Sequence, residues 1–458
     1  MFGRILIANR GEIALRVLGA CRSLGVESVL VYSEADSNAP WLDEADHTIC
    51  VGPAAASASY LNQEAILQAA EQSDCHAVHP GYGFLAENAS FAARCEQQGL
   101  VFVGPTPQTM RCMGDKVAAK RTMREEGLPT IPGSDGVVDD TGHALSVAER
   151  IGFPVLLKAS AGGGGKGMRL CESAKHLGRA FTEASAEAGS AFGDPTLYVE
   201  KVIEGGRHVE FQVLADTYGA VVHLGDRECS IQRQHQKLVE EAPSPVVGAS
   251  EREELGRNVV RAMRAIGYRN AGTVEFLRAP DGQFYFMEMN TRLQVEHPVT
   301  EQLTGVDIVA EQLKIAANQR LGFDQEQVRF DGHAIEFRIN AEDPQRGFRP
   351  DPGTIEAFRP PSVEGDGSSV RWDSAIREGY RIPPYYDSLI GKLIVRGDDR
   401  ALALDVARRA LASMRIEGVC TTIELHLRLL QDPKFCAGQY DIDYLLRSDV
   451  LRVDPSRA

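Results

Sequence analysis

The sequence contains no apolar stretch approaching about 18 residues, the length a membrane-spanning helix requires. Its first residues, Met-Phe-Gly-Arg-Ile-Leu-Ile-Ala, pass directly into a strand pattern instead of a basic-then-apolar leader. Neither a membrane span nor a signal peptide is expected. An excess of positive charge is also lacking: 49 Lys plus Arg stand against 64 Asp plus Glu, a formal net charge of −15. That balance removes the basic footprint on which nucleic-acid binding rests. No Cys-x-x-Cys pair occurs, and the nine cysteines are odd in number and scattered. This excludes a zinc ribbon and a disulfide framework and points to a reduced, cytoplasmic chain. At 458 residues the chain is long enough for two or three packed lobes.

What is present is an alternation of strands and helices. Residues 4–8 form a short apolar run, followed by Gly11-Glu12, a helical pattern through Ile13, Leu15, Val17, Leu18 and Leu24, and a second strand at 28–32. Strands at 76–79 and 101–103 alternate with helices at 62–71 and 88–98, so residues 1–114 are expected to form a parallel-sheet lobe whose strand-end loops present ligand surfaces. One of these loops is His79-Pro80-Gly81-Tyr82-Gly83-Phe84. Turn formation accounts for its glycines and proline, which leaves Tyr82 as a candidate site residue.

A separate region follows at 115–203, with its own small lobe from about residue 131, entered through Pro129, Pro132, Gly133 and Ser134. Within it an apolar strand ends at Lys158 and runs into Ala161, the four glycines Gly162, Gly163, Gly164 and Gly165, and Lys166-Gly167-Met168. Gly162, Gly164 and Gly167 match G-x-G-x-x-G, but a dinucleotide fingerprint needs a helix directly after the glycines, and the pattern here continues as another short strand. The Walker pattern fails too, because no Ser or Thr follows the Gly-Lys step. A strand, glycine flap, strand remains, a mobile cover whose backbone amides can approach phosphates. Four consecutive glycines, each costing roughly 0.5–1 kcal/mol relative to Ala in an ordered element, are poorly explained as packing. Lys158, at the end of an apolar strand, requires an anion such as a phosphate.

The large region at 204–330 carries strands at 208–215, 221–226 and 272–277. Residues 283–289 alternate as a strand, and Asp281-Gly282 reads as the hairpin turn before it, so Glu275 and Glu288 face each other on adjacent antiparallel strands. From Glu288 onward, Asn290, Arg292, Gln294 and Glu296 keep a period of two, which sends them to one side of an extended segment. A core strand would place apolar groups there. Magnesium is a hard cation that takes carboxylate oxygens together with nucleotide phosphates, and Glu275, Glu288 and Asn290 supply such oxygens. Arg292 offers a planar fork for an oxyanion, and Glu296 a carboxylate able to act as a base. The segment 227–237 adds His235 and Lys237 as candidate anion and nucleotide contacts; Cys229 within it reads as a buried thiol. At 332–343, alternation places Arg338 on one face with Glu336 and Asn340. Amphipathic helices at 401–411 and 421–430 close the region 331–447, and residues 447–458 read as a frayed end.

These features together resemble the biotin carboxylase family of the ATP-grasp superfamily. The likeness runs from Ile7-Ala8-Asn9-Arg10-Gly11-Glu12 to Asp441 and rests on His79 to Phe84, Met113-Gly114-Asp115-Lys116, the glycine flap, Gln232 to Lys237, Glu288 to Arg292, Gln294 to Pro298, and Arg338 with Asn340 to Asp343. The resemblance implies an α/β (α+β) ATP-grasp fold with an N-terminal Rossmann-like parallel-sheet lobe, a small mobile glycine-rich lid and a large C-terminal lobe. It further implies that Lys116, Lys158, Glu200, Lys201, His208, Gln232, His235, Leu277 and the flap glycines contact ATP. Glu275, Glu288 and Asn290 would hold Mg2+ or Mn2+, while Lys237, Arg292, Gln294 and Val295 would hold bicarbonate. Glu296 would be the base, and Arg338 with Tyr82 would face biotin. The implied reaction carboxylates biotin through carboxyphosphate.

Two departures stand out. Ala161 occupies a position where many relatives carry a further glycine, which stiffens the lid hinge slightly. No Met-Lys-Met carrier motif is present, so the biotin is expected on a separate biotin carboxyl carrier protein or on a further domain. The resemblance also implies a homodimer and carboxyltransferase partners, most often those of acetyl-CoA carboxylase in fatty acid synthesis. Pyruvate, propionyl-CoA, methylcrotonyl-CoA and urea carboxylases use a similar module. The competing readings are another ATP-grasp ligase, such as a purine-pathway or carbamoyl-phosphate-type enzyme, and an inactive nucleotide-binding regulatory subunit. The run from Arg292 to Pro298 argues against the first, and the complete residue set against the second.

Overall fold

Strands covered on both faces read as continuous apolar runs, and the opening strands do. In the computed structural model, which describes residues 1–160, 167–363 and 368–451, β1 (Arg4–Ile7), β2 (Glu27–Tyr32), β3 (His47–Cys50), β4 (Ala77–His79) and β5 (Val101–Phe102) form a parallel sheet in the order β3-β2-β1-β4-β5. The helices α1 (Gly11–Leu24), α2 (Gln63–Gln72) and α3 (Ala89–Gln97) cover it. Ile5 and Ile7 pack with Ile13, Val17 and Leu18 of α1, while Leu6 packs with Ile66 of α2 and Phe91 of α3. Successive side chains of β1 therefore enter opposite layers. The edge strand β3, with its largely exposed polar residues, carries too little apolar signal to be read from sequence.

α4 (Pro107–Gly114) and α5 (Lys116–Glu125) lead out of this lobe. Asp115 caps α5 by accepting from the Val117 and Ala118 amides at 2.9 and 3.0 Å, which fixes Lys116 in the first turn. The small lobe packs α6 (Thr141–Ile151) and α7 (Ala174–Phe192) on an antiparallel sheet of β6 (Val155–Ala159), β7 (Arg169–Cys171) and β8 (Leu197–Lys201), in the order β7-β6-β8. The second strand after the glycines is thus real, as the failure of the dinucleotide fingerprint required.

An eight-stranded antiparallel sheet dominates the rest. Its strands are β9 (Arg207–Ala215), β10 (Val221–Arg233), β11 (Gln236–Ala242), β12 (Asn270–Arg278), β13 (Phe284–Asn290), β14 (His333–Asn340), β18 (Ser369–Ser374) and β19 (Leu389–Gly397), with the short β15 (Glu342–Asp343), β16 (Arg349–Pro350) and β17 (Ala357–Arg359) pairing outside it. The order is β13-β12-β9-β10-β11-β14-β19-β18, so strands from before and after residue 330 share one continuous sheet. The helices α8 (Ala249–Ala265), α9 (His297–Thr304), α10 (Ile308–Ala316) and α11 (Arg400–Ser413) cover parts of it. No helix among the described residues is long and apolar enough to cross a membrane, and all nine cysteines are free. The expected frayed end reaches a short turn at Asp449–Leu451, and residues 452–458 lie outside the described ones.

Two sequence expectations change. β10 extends to Arg233, beyond the expected stop at 226, because its buried charges are internally paired: Arg227 meets Glu210 of β9 at 2.6 Å. The extended segment expected to reach Glu296 stops at Asn290, because α9 starts at His297, with Pro298 in its first turn and Glu296 as its N-cap residue.

Part of this sheet is held by a second charge cluster. Glu241 of β11 takes His333 at 2.6 Å and Arg400 of α11 at 2.7 Å, and it also accepts the Tyr440 hydroxyl. Burial opposes ionisation of Glu241, yet His333 and Arg400 outweigh it and hold the carboxyl at about 2. A folded value below the ordinary 4.5 means that its contribution to stability is full above pH 4.5 and is lost as the pH falls through about 2. In urea unfolding, Glu241→Gln should therefore be less stable than wild type near neutrality, and the gap should narrow on acidification. A gap independent of pH would contradict this pairing.

Candidate functional site

A cleft of about 890 Å³ opens where the strand-end loops of the parallel sheet, strands β6 and β8 of the small lobe, and the face of the eight-stranded sheet meet. Its floor is the β12–β13 hairpin. Gly282 in the connecting turn has φ 93, a conformation that favours glycine, and the resulting register sets Glu275 opposite Glu288, as expected.

Although the strand ends at Asn290, the polar residues beyond it still converge. Glu275 Oε1 accepts from Asn290 Nδ2 at 2.7 Å, from Gln294 Nε2 at 3.0 Å and from Lys237 Nζ at 3.2 Å, and Glu275 Oε2 lies 3.1 Å from His208 Nε2. Arg292 donates to Asn290 Oδ1 at 3.0 Å and Gln294 Oε1 at 2.9 Å, while its Nε reaches Glu87 of the N-terminal lobe at 3.0 Å. Lys237 is the hub, with Glu210 and Glu296 each at 2.6 Å in addition to Glu275. Its partner across the hairpin, Gln232, and the turn residue His235, at φ 67, line the same cleft.

The electrostatics follow from this packing. Burial disfavours charge on each group, but neighbours of opposite sign decide the outcome. Lys237, then His208, hold the Glu275 carboxyl at about 2, and Glu275 pushes the His208 imidazole up to about 9. Arg227 and Lys237 keep Glu210 ionised, and the acidic groups around Lys237 keep it charged. Burial raises the Cys229 thiol, in agreement with a buried, unreactive sulfur. Glu275, Glu288 and Asn290 present an all-oxygen set suited to a hard divalent ion. His208, Glu210 and Glu275 also bring ligand atoms within 4.8 Å of one another. That second set is the poorer fit for a hard ion, because it includes an imidazole nitrogen where the first is oxygen throughout.

Glu296 is fully buried behind the cleft wall, with Oε1 on Lys237 and Oε2 on Arg338 Nη2 at 2.9 Å. Glu240 takes Arg338 Nε at 2.6 Å and shares Nη2 with Glu296. Burial raises Glu240 to about 7. Tyr82 donates its hydroxyl to Glu12, and its loop is tied down by Asn9 Nδ2, which bonds the Pro80 and Tyr82 carbonyls at 2.7 Å each. Gly81, at φ 63, has the Asn9 amide only 2.8 Å from where a Cβ would sit, so no side chain fits.

At the other end of the cleft Lys158 meets Glu200 at 2.6 Å, Lys120 contacts the same carboxylate, and Lys116 meets Glu288 at 3.2 Å. Burial, with the lysines crowding one another, lowers Lys120 to about 6 and Lys158 to about 8, so an anion seated among them would restore their charge. Lys201 lines the cleft, but its ammonium is spent on the Gly152 and Phe153 carbonyls at 3.0 and 2.8 Å. Leu156, Met168, Leu277 and Met287 supply an apolar wall. Every sequence-derived site residue within the described part lines the cleft except Glu296, which backs it. Ala161, Gly162, Gly163, Gly164, Gly165 and Lys166 lie outside the described residues. Sequence reasoning missed Glu210, whose alternation with His208 on β9 was a usable signal. It also missed Lys120, one helical turn after Lys116 on α5, and Glu87 and Glu240, which have no local signature.

Models of known families match in three blocks: "Biotin carboxylase, N-terminal domain" at residues 1–110, "Carbamoyl-phosphate synthase L chain, ATP binding domain" at 115–323, and "Biotin carboxylase C-terminal domain" at 336–447. A biotin carboxylase of Nostoc sp. is 52% identical, over 97% of this chain and 98% of that protein. A pyruvate carboxylase subunit of Methanothermobacter thermautotrophicus is also 52% identical, over 96% of this chain and 88% of that protein. A solved structure, the biotin carboxylase domain dimer of 2-oxoglutarate carboxylase from Hydrogenobacter thermophilus with MgADP, ADP and bicarbonate, superposes with a TM-score of 0.94 at 49% identity, covering 99% of each chain.

Proposed function

The chain belongs to the biotin carboxylase family, ATP-dependent ligases with the ATP-grasp fold, and we propose that its cleft phosphorylates bicarbonate with ATP and passes the carboxyl group to biotin held on a carrier protein. The observation that carries this reading is the double grip on Glu296 by Lys237 and Arg338. A base flanked by cations on both sides marks a place where a small anion can exchange for one contact and come within reach of the carboxylate.

In the proposed sequence, Lys237 and Arg292 seat bicarbonate with Gln294 and the Val295 backbone, and Glu296 takes its proton. The bicarbonate oxygen attacks the γ-phosphorus of ATP, ADP leaves, and carboxyphosphate forms. Lys116 and Lys158 hold the phosphates, His208, Gln232, His235 and Glu200 complete the nucleotide contacts, and the apolar wall with Leu277 takes the base. Glu275, Glu288 and Asn290 fit a divalent cation, which when bound offsets charge between the two anions. Carboxyphosphate then releases carbon dioxide, its phosphate deprotonates the ureido nitrogen of biotin, and that nitrogen takes up the carbon dioxide. Arg338, with Tyr82 nearby, stabilises the oxygen that becomes negative on biotin.

The Hydrogenobacter structure, a domain dimer in complex with MgADP and bicarbonate, supports the ligand set and a homodimer. The carrier and the carboxyltransferase are proposed partners, and the nine free cysteines support a cytoplasmic setting. Acetyl-CoA carboxylase is the proposed parent enzyme. Relatives of similar identity belong to pyruvate and 2-oxoglutarate carboxylases, so the decisive trial is which acceptor is carboxylated once the cognate carboxyltransferase is added.

ADP release with Mg-ATP and bicarbonate tests the reading when measured with and without free biotin. Biotin should stimulate it. Turnover indifferent to biotin would indicate another ATP-grasp ligase, and nucleotide binding without turnover a regulatory subunit.

A further inference from the structure

Lys392 of β19 is fully buried, and none of the proposed steps uses it. In the sheet it stands directly between Arg338 of β14 and Asp373 of β18. Its ammonium donates to the Val295 carbonyl at 2.9 Å, lies 3.2 Å from Glu12 Oε1 and 4.0 Å from Asp373 Oδ2. Glu12, near the start of α1, is the group that accepts the Tyr82 hydroxyl. A buried ammonium at the centre of a sheet carries a large desolvation cost, and an apolar side chain of similar volume would often hold such a position at no loss of stability. Its partners suggest what the charge does instead.

Neighbouring cations of the sheet hold the same dipeptide: Arg338 takes the Glu296 carboxylate, and Lys392 takes the carbonyl of Val295 just before it. Through Glu12, Lys392 also reaches the loop that carries Tyr82. We propose that Lys392 is a positioning residue that ties the Val295–Glu296 turn to the Tyr82 loop, keeping the base and the biotin-facing side chains at a fixed spacing. This inference rests on the functional reading above. The charged groups facing Lys392 are Glu12 from α1, Asp373 and Arg371 from β18 and Glu336 from β14, with Arg338 as its register partner on β14 and the imidazole of His297 in α9, which Lys392 helps to push down. Burial raises the carboxyls of both Glu336, which has no hydrogen-bond partner on either oxygen, and Glu12, while Arg371 and Lys392 hold Asp373 down.

The alternative is that Lys392 only balances those carboxylates. Lys392→Met alone strands Glu12 in the interior and is expected to lose stability. Glu12→Gln in the same chain removes that charge and still accepts from Tyr82, so the double variant should recover thermal stability. Compared with Glu12→Gln alone, the double variant should lose about 100-fold in the kcat of biotin-dependent turnover, the scale of a misplacement of roughly 1 Å, with the KM for ATP unchanged. A double variant that turns over like Glu12→Gln would overturn the inference in favour of charge balance, and one no more stable than Lys392→Met would overturn it too, since its lost turnover would then follow from a loosened fold. A wild-type chain that ignores biotin would instead overturn the functional reading, a result read without any variant.

Discussion

Glu296→Gln should lower biotin-dependent ATP turnover by about 10² to 10⁴-fold, the range a positioned general base contributes, while leaving the affinity for Mg-ATP unchanged. The asymmetry follows from the contacts. Lys237 keeps Glu210 and Glu275, and Arg338 keeps Glu240, when the Glu296 charge is removed, so neither cation is left unpaired in the interior. Gln preserves the volume of a fully buried side chain, and the lysines at the nucleotide end, Lys116 and Lys158, pair with Glu288 and Glu200, not with Glu296. What disappears is the proton acceptor. Steady-state ADP release together with nucleotide titration checks this. A variant that keeps wild-type turnover would remove Glu296 from the role of base.

Lys237→Met should abolish turnover and also cost stability, about 3 kcal/mol, the lower end of the range for removing one partner of a buried ion pair. The lower end applies because each carboxylate at the hub retains another cation: Arg227 on Glu210, His208 on Glu275 and Arg338 on Glu296. Activity has no such reserve, since the ammonium at the meeting point of Glu210, Glu275 and Glu296 has no substitute for bicarbonate. Urea unfolding and ADP release on the same preparation separate the two effects. Wild-type stability in this variant would show that the ammonium does not hold the cluster.

How far the site was legible depends on the range of the contacts that make it. The β12–β13 hairpin could be read because Asp281-Gly282 and the alternation of residues 283–289 are local signals, and they placed Glu275 against Glu288 correctly. The period of two beyond Asn290 gave the right partners through a wrong conformation: Asn290 and Gln294 reach Glu275, although the chain turns there into a helix that starts at His297 with Pro298 in its first turn. β10 was cut short because Asp226, Arg227 and Glu228 look like a loop until Arg227 finds Glu210 on the next strand. Lys201 was assigned from resemblance, and only the folded small lobe reveals that its ammonium is committed to Gly152 and Phe153. Glu87, Glu240 and Lys392 were beyond reach, since each acts on a site residue distant in sequence and no local periodicity marks such contacts.

The central claim is that this cleft activates bicarbonate by phosphorylation before biotin is carboxylated. Bicarbonate labelled with oxygen-18 in all positions, given with Mg-ATP and free biotin, tests it most directly. Attack of a bicarbonate oxygen on the γ-phosphorus places one labelled oxygen in the released phosphate and two in the carboxyl group on biotin, and that is the expected result. Phosphate free of label, or biotin without a labelled carboxyl group, would contradict the account.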